Sequence, residues 1–162
     1  TRGLARIYAG LDKYLFLGNL NSLRDWGHAK DYVEMQWLML QQKDPRDYVI
    51  ATGRQESVRK FVEFSAKELG WGGINWEGKG VNEIGRRIDN NKIVIKIDKR
   101  YFRPTEVDSL LGDASKAKKE LGWEPKITLE ELVREMIRND LDKAEREFLL
   151  IKNGYKVFVS KE

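Results

Sequence analysis

DYVIATGRQESVRKFVEFSAKELG, residues 47–70, decides the class of fold. Asp47 to Thr52 is a short apolar run with tyrosine, valine and isoleucine, which predicts a strand. Gly53 ends it. Ser57 stands where its hydroxyl can cap a helix running to Leu69, and Gly70 supplies the left-handed stop beyond that helix. One strand feeding one helix is a β-α unit, and it places the chain among α/β proteins.

Working outward toward the N-terminus, Ala29 to Gln42 has a helical pattern whose apolar residues, Tyr32, Val33, Met35 and Trp37 to Leu40, cover most of the circumference. That coverage predicts a central helix buried on more than one side. Before it, Tyr14 to Leu17 is a short apolar strand closed by Gly18-Asn19, and Leu4, Ile7, Tyr8 and Leu11 share one face of an opening helix with Gly10 near its end. No capping residue precedes that helix, so the pattern is that of a chain already under way. Toward the C-terminus, Ile74 to Trp76, the EGKG turn, and Val81 to Ile97 interrupted by Asp89-Asn90-Asn91 predict short strands and a hairpin, with Arg86 and Arg87 exposed beside the turn. Thr105, Asp113 and Thr128 each precede a helical pattern. Thr128-Leu-Glu-Glu131 has the spacing of a capping box, and the helix behind it extends from Leu129 to about Leu150. Lys156 to Val159 reads as a last strand or a tail. No internal repeat or low-complexity linker is present.

The 162 residues suit one domain; 41% are apolar and 35% charged, a globular composition with a dense charged surface. No apolar run approaches the roughly 20 residues that span a bilayer, and the first residues lack a signal-peptide core, so the expected location is the cytoplasm, with no membrane partner. The chain has no cysteine and one histidine, which argues against a metal site and excludes a disulfide framework. Lysine plus arginine number 30 against 26 acids. The two signs are interspersed, without the concentrated basic face that a nucleic-acid partner requires.

Among catalytic signatures, G-x-G-x-x-G, G-x-x-x-x-G-K-[ST] and G-x-S-x-G are all missing. Gly78-Lys-Gly80-Val-Asn-Glu83 has glutamate at the third glycine position and precedes a hairpin instead of a helix. The stretch RDWGHAKDY, residues 24–32, gathers an arginine, two aspartates, a lysine and the sole histidine. His28 reads as a capping or packing residue, and Asp25, Lys30 and Asp31 as a polar helix entrance. Arg24 follows a strand and turn, where a guanidinium can grip a phosphate through two parallel hydrogen bonds or pair with its acidic neighbours. Arg103, in YFRPTE, stands just before a helical pattern whose first amides attract anions, and serves equally as a solvated helix entrance. Together the two arginines could clamp a diphosphate. Trp26, Tyr101 and Phe102 are read as core.

The segments LFLGNLNSLRDWGHAKDYVEMQWLMLQQ, DYVIATGRQESVRKFVE, RYFRPTEVDSLLGDASKAKKELGWEPKITLEELVREMIRNDL and LLIKNGYKV, taken in this order, resemble the C-terminal half of the GDP-mannose 4,6-dehydratases, within the extended short-chain dehydrogenase/reductase group. Between Trp76 and Lys96 the match weakens. The resemblance implies an α/β fold, the helix-rich substrate-binding part of an extended Rossmann-type dehydratase, with residues 1–162 forming a GDP-sugar-binding portion. About 47–70 would pack with a Rossmann cofactor domain absent from this chain and complete its sheet. It also implies an NADP-dependent lyase of the GDP-fucose route, converting GDP-D-mannose to GDP-4-dehydro-6-deoxy-D-mannose by intramolecular hydride transfer and loss of water, in a homodimer or homotetramer. Arg24 matches the family's nucleotide-sugar arginine, and Arg103 with Glu106 matches the pair that holds the GDP portion, the glutamate at a ribose hydroxyl. The family's catalytic Tyr-x-x-x-Lys is lacking, since no tyrosine here has a lysine four positions on, so no catalytic and no cofactor-binding residue is assigned to this chain. A related nucleotide-sugar epimerase or dehydratase, or a non-catalytic nucleotide-binding module, are the alternative readings.

Overall fold

The computed structural model describes residues 1–105 and 111–157. Its elements follow in the order α1 (Arg2–Tyr8), β1 (Leu15–Leu17), β2 (Leu23–Asp25), α2 (Ala29–Leu40), β3 (Gln55–Ser57), α3 (Val58–Glu68), β4 (Ile74–Glu77), a 3-10 turn (Gly80–Asn82), β5 (Ile84–Arg87), β6 (Ile93–Ile97), α4 (Ser115–Leu121) and α5 (Leu129–Lys152). The α/β class expected from the sequence is the class observed. The chain divides into two compact units.

The first unit comprises Thr1–Asn19, Val62–Arg103 and the residues from Val133 on. Its centre is a four-stranded sheet in the order β1-β6-β5-β4. The hairpin β5–β6 and the pair β4–β5 are antiparallel, while β1 joins β6 in parallel with Leu15 opposite Ile95. The consecutive Val94 and Ile95 of β6 are both buried, so the sheet is covered on both faces at that point, and the helical parts of the unit bury Leu4, Ala5, Ala66, Val133 and Ile137. Trp71 is fully buried in the loop after α3. The guanidinium of Arg87 lies 4.3 Å from the centre of its ring, a cation-π contact. Arg86 and Arg87 are therefore not the exposed residues expected beside a turn: their side chains are 26% and 17% exposed and are paired with Glu77 and Asp89.

The second unit comprises Leu20–Phe61 and the described part of Pro104–Leu132. Here β2 and β3 form an antiparallel ribbon, Arg24 opposite Glu56. Met35 of α2, Ala117 of α4 and Trp123 form its core, with Tyr32, Tyr48, Ile50 and Leu121 packed around them. The Trp123 indole donates to the Asp31 carbonyl at 3.0 Å, tying the loop after α4 to α2.

Two sequence expectations change. Helix α2 is not central: its buried residues are Asp31 and Met35, while Val33, Trp37 and Leu40 are 60%, 59% and 82% exposed. Asp47–Thr52 is neither helix nor ladder-bonded strand among the described residues, and its burial does not alternate with a strand's period of two: Val49 is exposed and Ala51, two positions on, is buried. A strand needs a neighbour to bond, and this run has none here. Ser57 does cap α3, its Oγ accepting from the Lys60 amide at 3.1 Å, and Gly70 takes a left-handed φ of 74°. The helix expected after Thr105 and the last strand to Val159 extend beyond the described residues.

Candidate functional site

The RDWGHAKDY stretch enters the second unit as β2 and leaves it as α2. Arg24 is half-buried on β2, and its Nη1 donates to the Leu23 carbonyl at 2.7 Å. The next residue anchors it. Asp25 accepts from the Thr52 amide at 3.0 Å on each oxygen, from the Thr52 hydroxyl at 2.6 Å and from the Gly53 amide at 3.0 Å. A carboxylate meeting several donors of one turn locks that turn to its own strand. Trp26 packs on Phe61 with ring centres 4.7 Å apart. Its indole nitrogen is buried without an acceptor among the described residues.

Gly27 makes room for a neighbouring ring: a Cβ there would sit 2.2 Å from the Tyr32 hydroxyl and would have to displace it. Burial, and then the charges of Asp25 and Asp31, push the Tyr32 phenol up, so it stays protonated at neutral pH. His28 is buried and caps α2, its Nδ1 accepting from the Lys30 amide at 3.0 Å, which is the structural role read from the sequence. Asp31 does more than mark a helix entrance. Buried to 3% exposure, it accepts through Oδ2 from the amides of Lys126 and Ile127, at 3.1 and 3.0 Å.

Beside this ribbon lies a cleft of about 170 Å³, lined by Trp26, Thr52, Arg54 and residues 125–129. Arg54 is held between Glu56 and Glu130, each at 2.9 Å. Its hydrogen bond to Glu130 holds that carboxyl below the usual glutamate range. The cleft falls short of the roughly 300–1,000 Å³ of small-molecule sites.

Arg103 belongs to the first unit, beyond the end of β6. The Asn19 side chain fixes its backbone, accepting from the Arg103 amide and donating to the Arg103 carbonyl, both at 2.7 Å. Gly18 permits this approach, since a Cβ there would lie 2.2 Å from the Tyr101 carbonyl oxygen. The Arg103 side chain is exposed and forms no ion pair among the described residues, unlike Arg6, Arg54, Arg87 and Arg100, which all face carboxylates. Tyr101, expected in the core, is 54% exposed. Glu106 lies outside the described residues. Arg24 and Arg103 thus stand in different units, each with its backbone fixed by a local polar clamp. Sequence reasoning singled out the arginines but missed the clamps made by Asn19 and Asp25. The signal for Asn19 was its place directly after Gly18 at a strand end.

No glycine loop of the described residues suits a dinucleotide. Gly78 to Glu83 forms a turn and the 3-10 segment and then enters β5, so it presents no α-helix N-terminus to a pyrophosphate.

This architecture is the one found in RMD of Pseudomonas aeruginosa complexed with NADPH: TM-score 0.65 at 20% identity, covering 90% of this chain and 41% of that one. The dTDP-glucose 4,6-dehydratase of Bacillus anthracis, in complex with NAD, matches with a TM-score of 0.61 at 21% identity, over 90% of this chain and 39% of its own. The chain thus shares the fold of about two fifths of each of these proteins.

Sequence narrows the class. The family model for GDP-mannose 4,6 dehydratase matches residues 1–136, and the chain belongs to that family. It is 56% identical to the GDP-mannose 4,6-dehydratase of Vibrio cholerae serotype O1 over its entire length, covering 46% of that relative, and 52% identical to the human GDP-mannose 4,6 dehydratase, covering 38% of it. The chain therefore spans less than half the length of these relatives.

Proposed function

We propose that this chain is the GDP-sugar-binding portion of an NADP-dependent GDP-mannose 4,6-dehydratase, a cytoplasmic homo-oligomer that converts GDP-D-mannose to GDP-4-dehydro-6-deoxy-D-mannose. The observation that carries this reading is the 56% identity maintained over the whole chain with a relative of that name. Arg24 and Arg103 take the diphosphate, and Glu106 a ribose hydroxyl. Two local features support the arginines. Arg103 offers a guanidinium without an ion-pair partner among the described residues, and the Asp25 and Asn19 clamps hold both backbones in place before any ligand arrives. A charge-assisted hydrogen bond needs that fixed geometry to be strong.

The nicotinamide cofactor supplies the hydride chemistry when bound, and the residues described here do not fit it. Its binding and the catalytic Tyr-x-x-x-Lys belong to a Rossmann domain outside these 162 residues. Three facts favour residues 47–70 and the exposed face of α2 packing against that domain: the unladdered run Asp47–Thr52, the bare stripe of Val33, Trp37 and Leu40, and relatives more than twice as long.

Calorimetry with GDP-mannose, UDP-glucose and dTDP-glucose on a protein that joins this chain to such a domain tests the substrate class. GDP-mannose should bind most tightly, and Arg103→Ala should weaken it about tenfold or more, the loss expected for one charge-assisted hydrogen bond. An unchanged affinity removes Arg103 from the site. The 162 residues alone should not turn over GDP-mannose with NADP, and measurable dehydration by them would overturn the division of labour.

A further inference from the structure

The first unit holds a second cleft, of about 700 Å³, between the end of α1 and the β5–β6 hairpin. Its volume lies within the range of small-molecule sites, roughly 300–1,000 Å³. Four cations line it, Lys13, Arg86, Arg87 and Lys92, against one carboxylate, Asp12.

The acids around it are already matched. Arg6 holds Asp12 at 2.7 Å, Arg86 holds Glu77 at 3.0 Å, and Arg87 holds Asp89 at 2.5 Å. Lys13 and Lys92 are exposed and form no ion pair among the described residues, so two positive charges stand uncompensated at a concave wall. The arginines beside them are rigid. Arg87 is fixed both by Asp89 and by the buried Trp71 ring, and its amide donates to the Lys92 carbonyl at 3.0 Å, joining the two cations through the backbone. Tyr8, 46% exposed, and Tyr14 supply aromatic wall, and the Lys96 ammonium lies 3.8 Å from the Tyr14 ring centre.

Topology separates this cleft from Arg103. Lys13 precedes β1 and Lys92 precedes β6, and the two strands are parallel, so both lysines sit at the same end of the pair. Asn19 and Arg103 sit at the other end. Five residues of β6 at about 3.3 Å each put roughly 16 Å between those ends.

We propose that this cleft binds a small phosphorylated metabolite, with its phosphomonoester dianion between Lys13 and Lys92 and its organic body against Tyr8. Two ammonium groups match a dianion in charge, and lysine serves phosphate as a point charge without demanding planar geometry. A local patch of four cations also suits one phosphate group better than a polyanion, which requires an extended basic track. The proposal does not rest on the diphosphate assignment of Arg24 and Arg103.

Titration calorimetry of the full chain at low ionic strength, with a hexose 6-phosphate, a nucleoside 5′-monophosphate and inorganic phosphate as probes, tests it. Saturable binding is expected, tighter for at least one organic phosphate than for inorganic phosphate. The double variant Lys13→Glu/Lys92→Glu should lose about tenfold or more, the loss of a charge-assisted contact. Tyr8→Ala should bring the organic phosphates down to the level of inorganic phosphate. Lys119→Glu, an exposed charge reversal on α4, should change nothing. Amide shifts on titration should map to Tyr8, Lys13 and Lys92, which keeps the test sound should a variant fold poorly. Absence of saturable binding, an unchanged double variant, or equal loss in Lys119→Glu would each overturn the proposal.

Discussion

Replacing Asp31 by alanine would strip the acceptor from two backbone amides, those of Lys126 and Ile127, beside a helix whose core residue Met35 is fully buried. An unsatisfied buried donor costs about 1–3 kcal/mol, so Asp31→Ala should destabilise the second unit by about 2–4 kcal/mol, with Asp31→Asn milder because one carbonyl oxygen remains. Urea denaturation measures it, and a loss below about 0.5 kcal/mol, the ordinary range of a surface substitution, would show that the amides find other partners. At this scale the sequence separated charges by type but not by duty. Arg24 and Arg103 were legible because guanidinium chemistry is local to the residue. The duties of Asp25 and Asp31 were not, because their partners lie 27 and 95 positions away and only the fold brings them into reach.

Helix α5 shows how much a local signature decides. Thr128 and Glu131 form the expected capping box: the Thr128 amide donates to Glu131 Oε2 at 2.8 Å and the Glu131 amide to Thr128 Oγ1 at 3.3 Å. Thr128→Ala should cost about 1 kcal/mol, read from the thermal midpoint. Glu130, in the first turn, couples the helix start to Arg54. Its folded pKa is depressed, chiefly by the hydrogen bond from Arg54, so the stability it contributes is complete above the ordinary glutamate value of about 4.3 and disappears as pH falls through the lower folded value. Both side chains are more than a third exposed, which limits the effect to about 1 kcal/mol or less. Glu130→Gln should flatten the acid limb of the stability curve while leaving its slope near neutrality unchanged; an unaltered acid limb would remove this pair from the balance. Caps and glycine stops were legible because they act within four residues. The burial of α2 was not: its apolar coverage is real, yet Val33, Trp37 and Leu40 stay exposed because nothing among the described residues covers them.

The two units illustrate what sequence pattern leaves open about a whole molecule. The α/β class, the hairpin strands and the long last helix followed from periodicity. The parallel pairing of β1 with β6, roughly 80 residues apart, and the β2–β3 ribbon did not, since strands of three residues carry too little pattern to announce a partner. The run Asp47–Thr52 has a practical consequence. Tyr48 to Ala51 join no ladder among the described residues, and with Val49 half out of the protein they are a template on which another molecule's strand can build. Concentrated solutions of the 162-residue polypeptide should therefore self-associate along this run and seed β-rich precipitate. A single Val49→Lys change should raise the concentration at which light scattering begins, by the same device that guards natural sheet margins, while an unmoved threshold would place the sticky surface elsewhere.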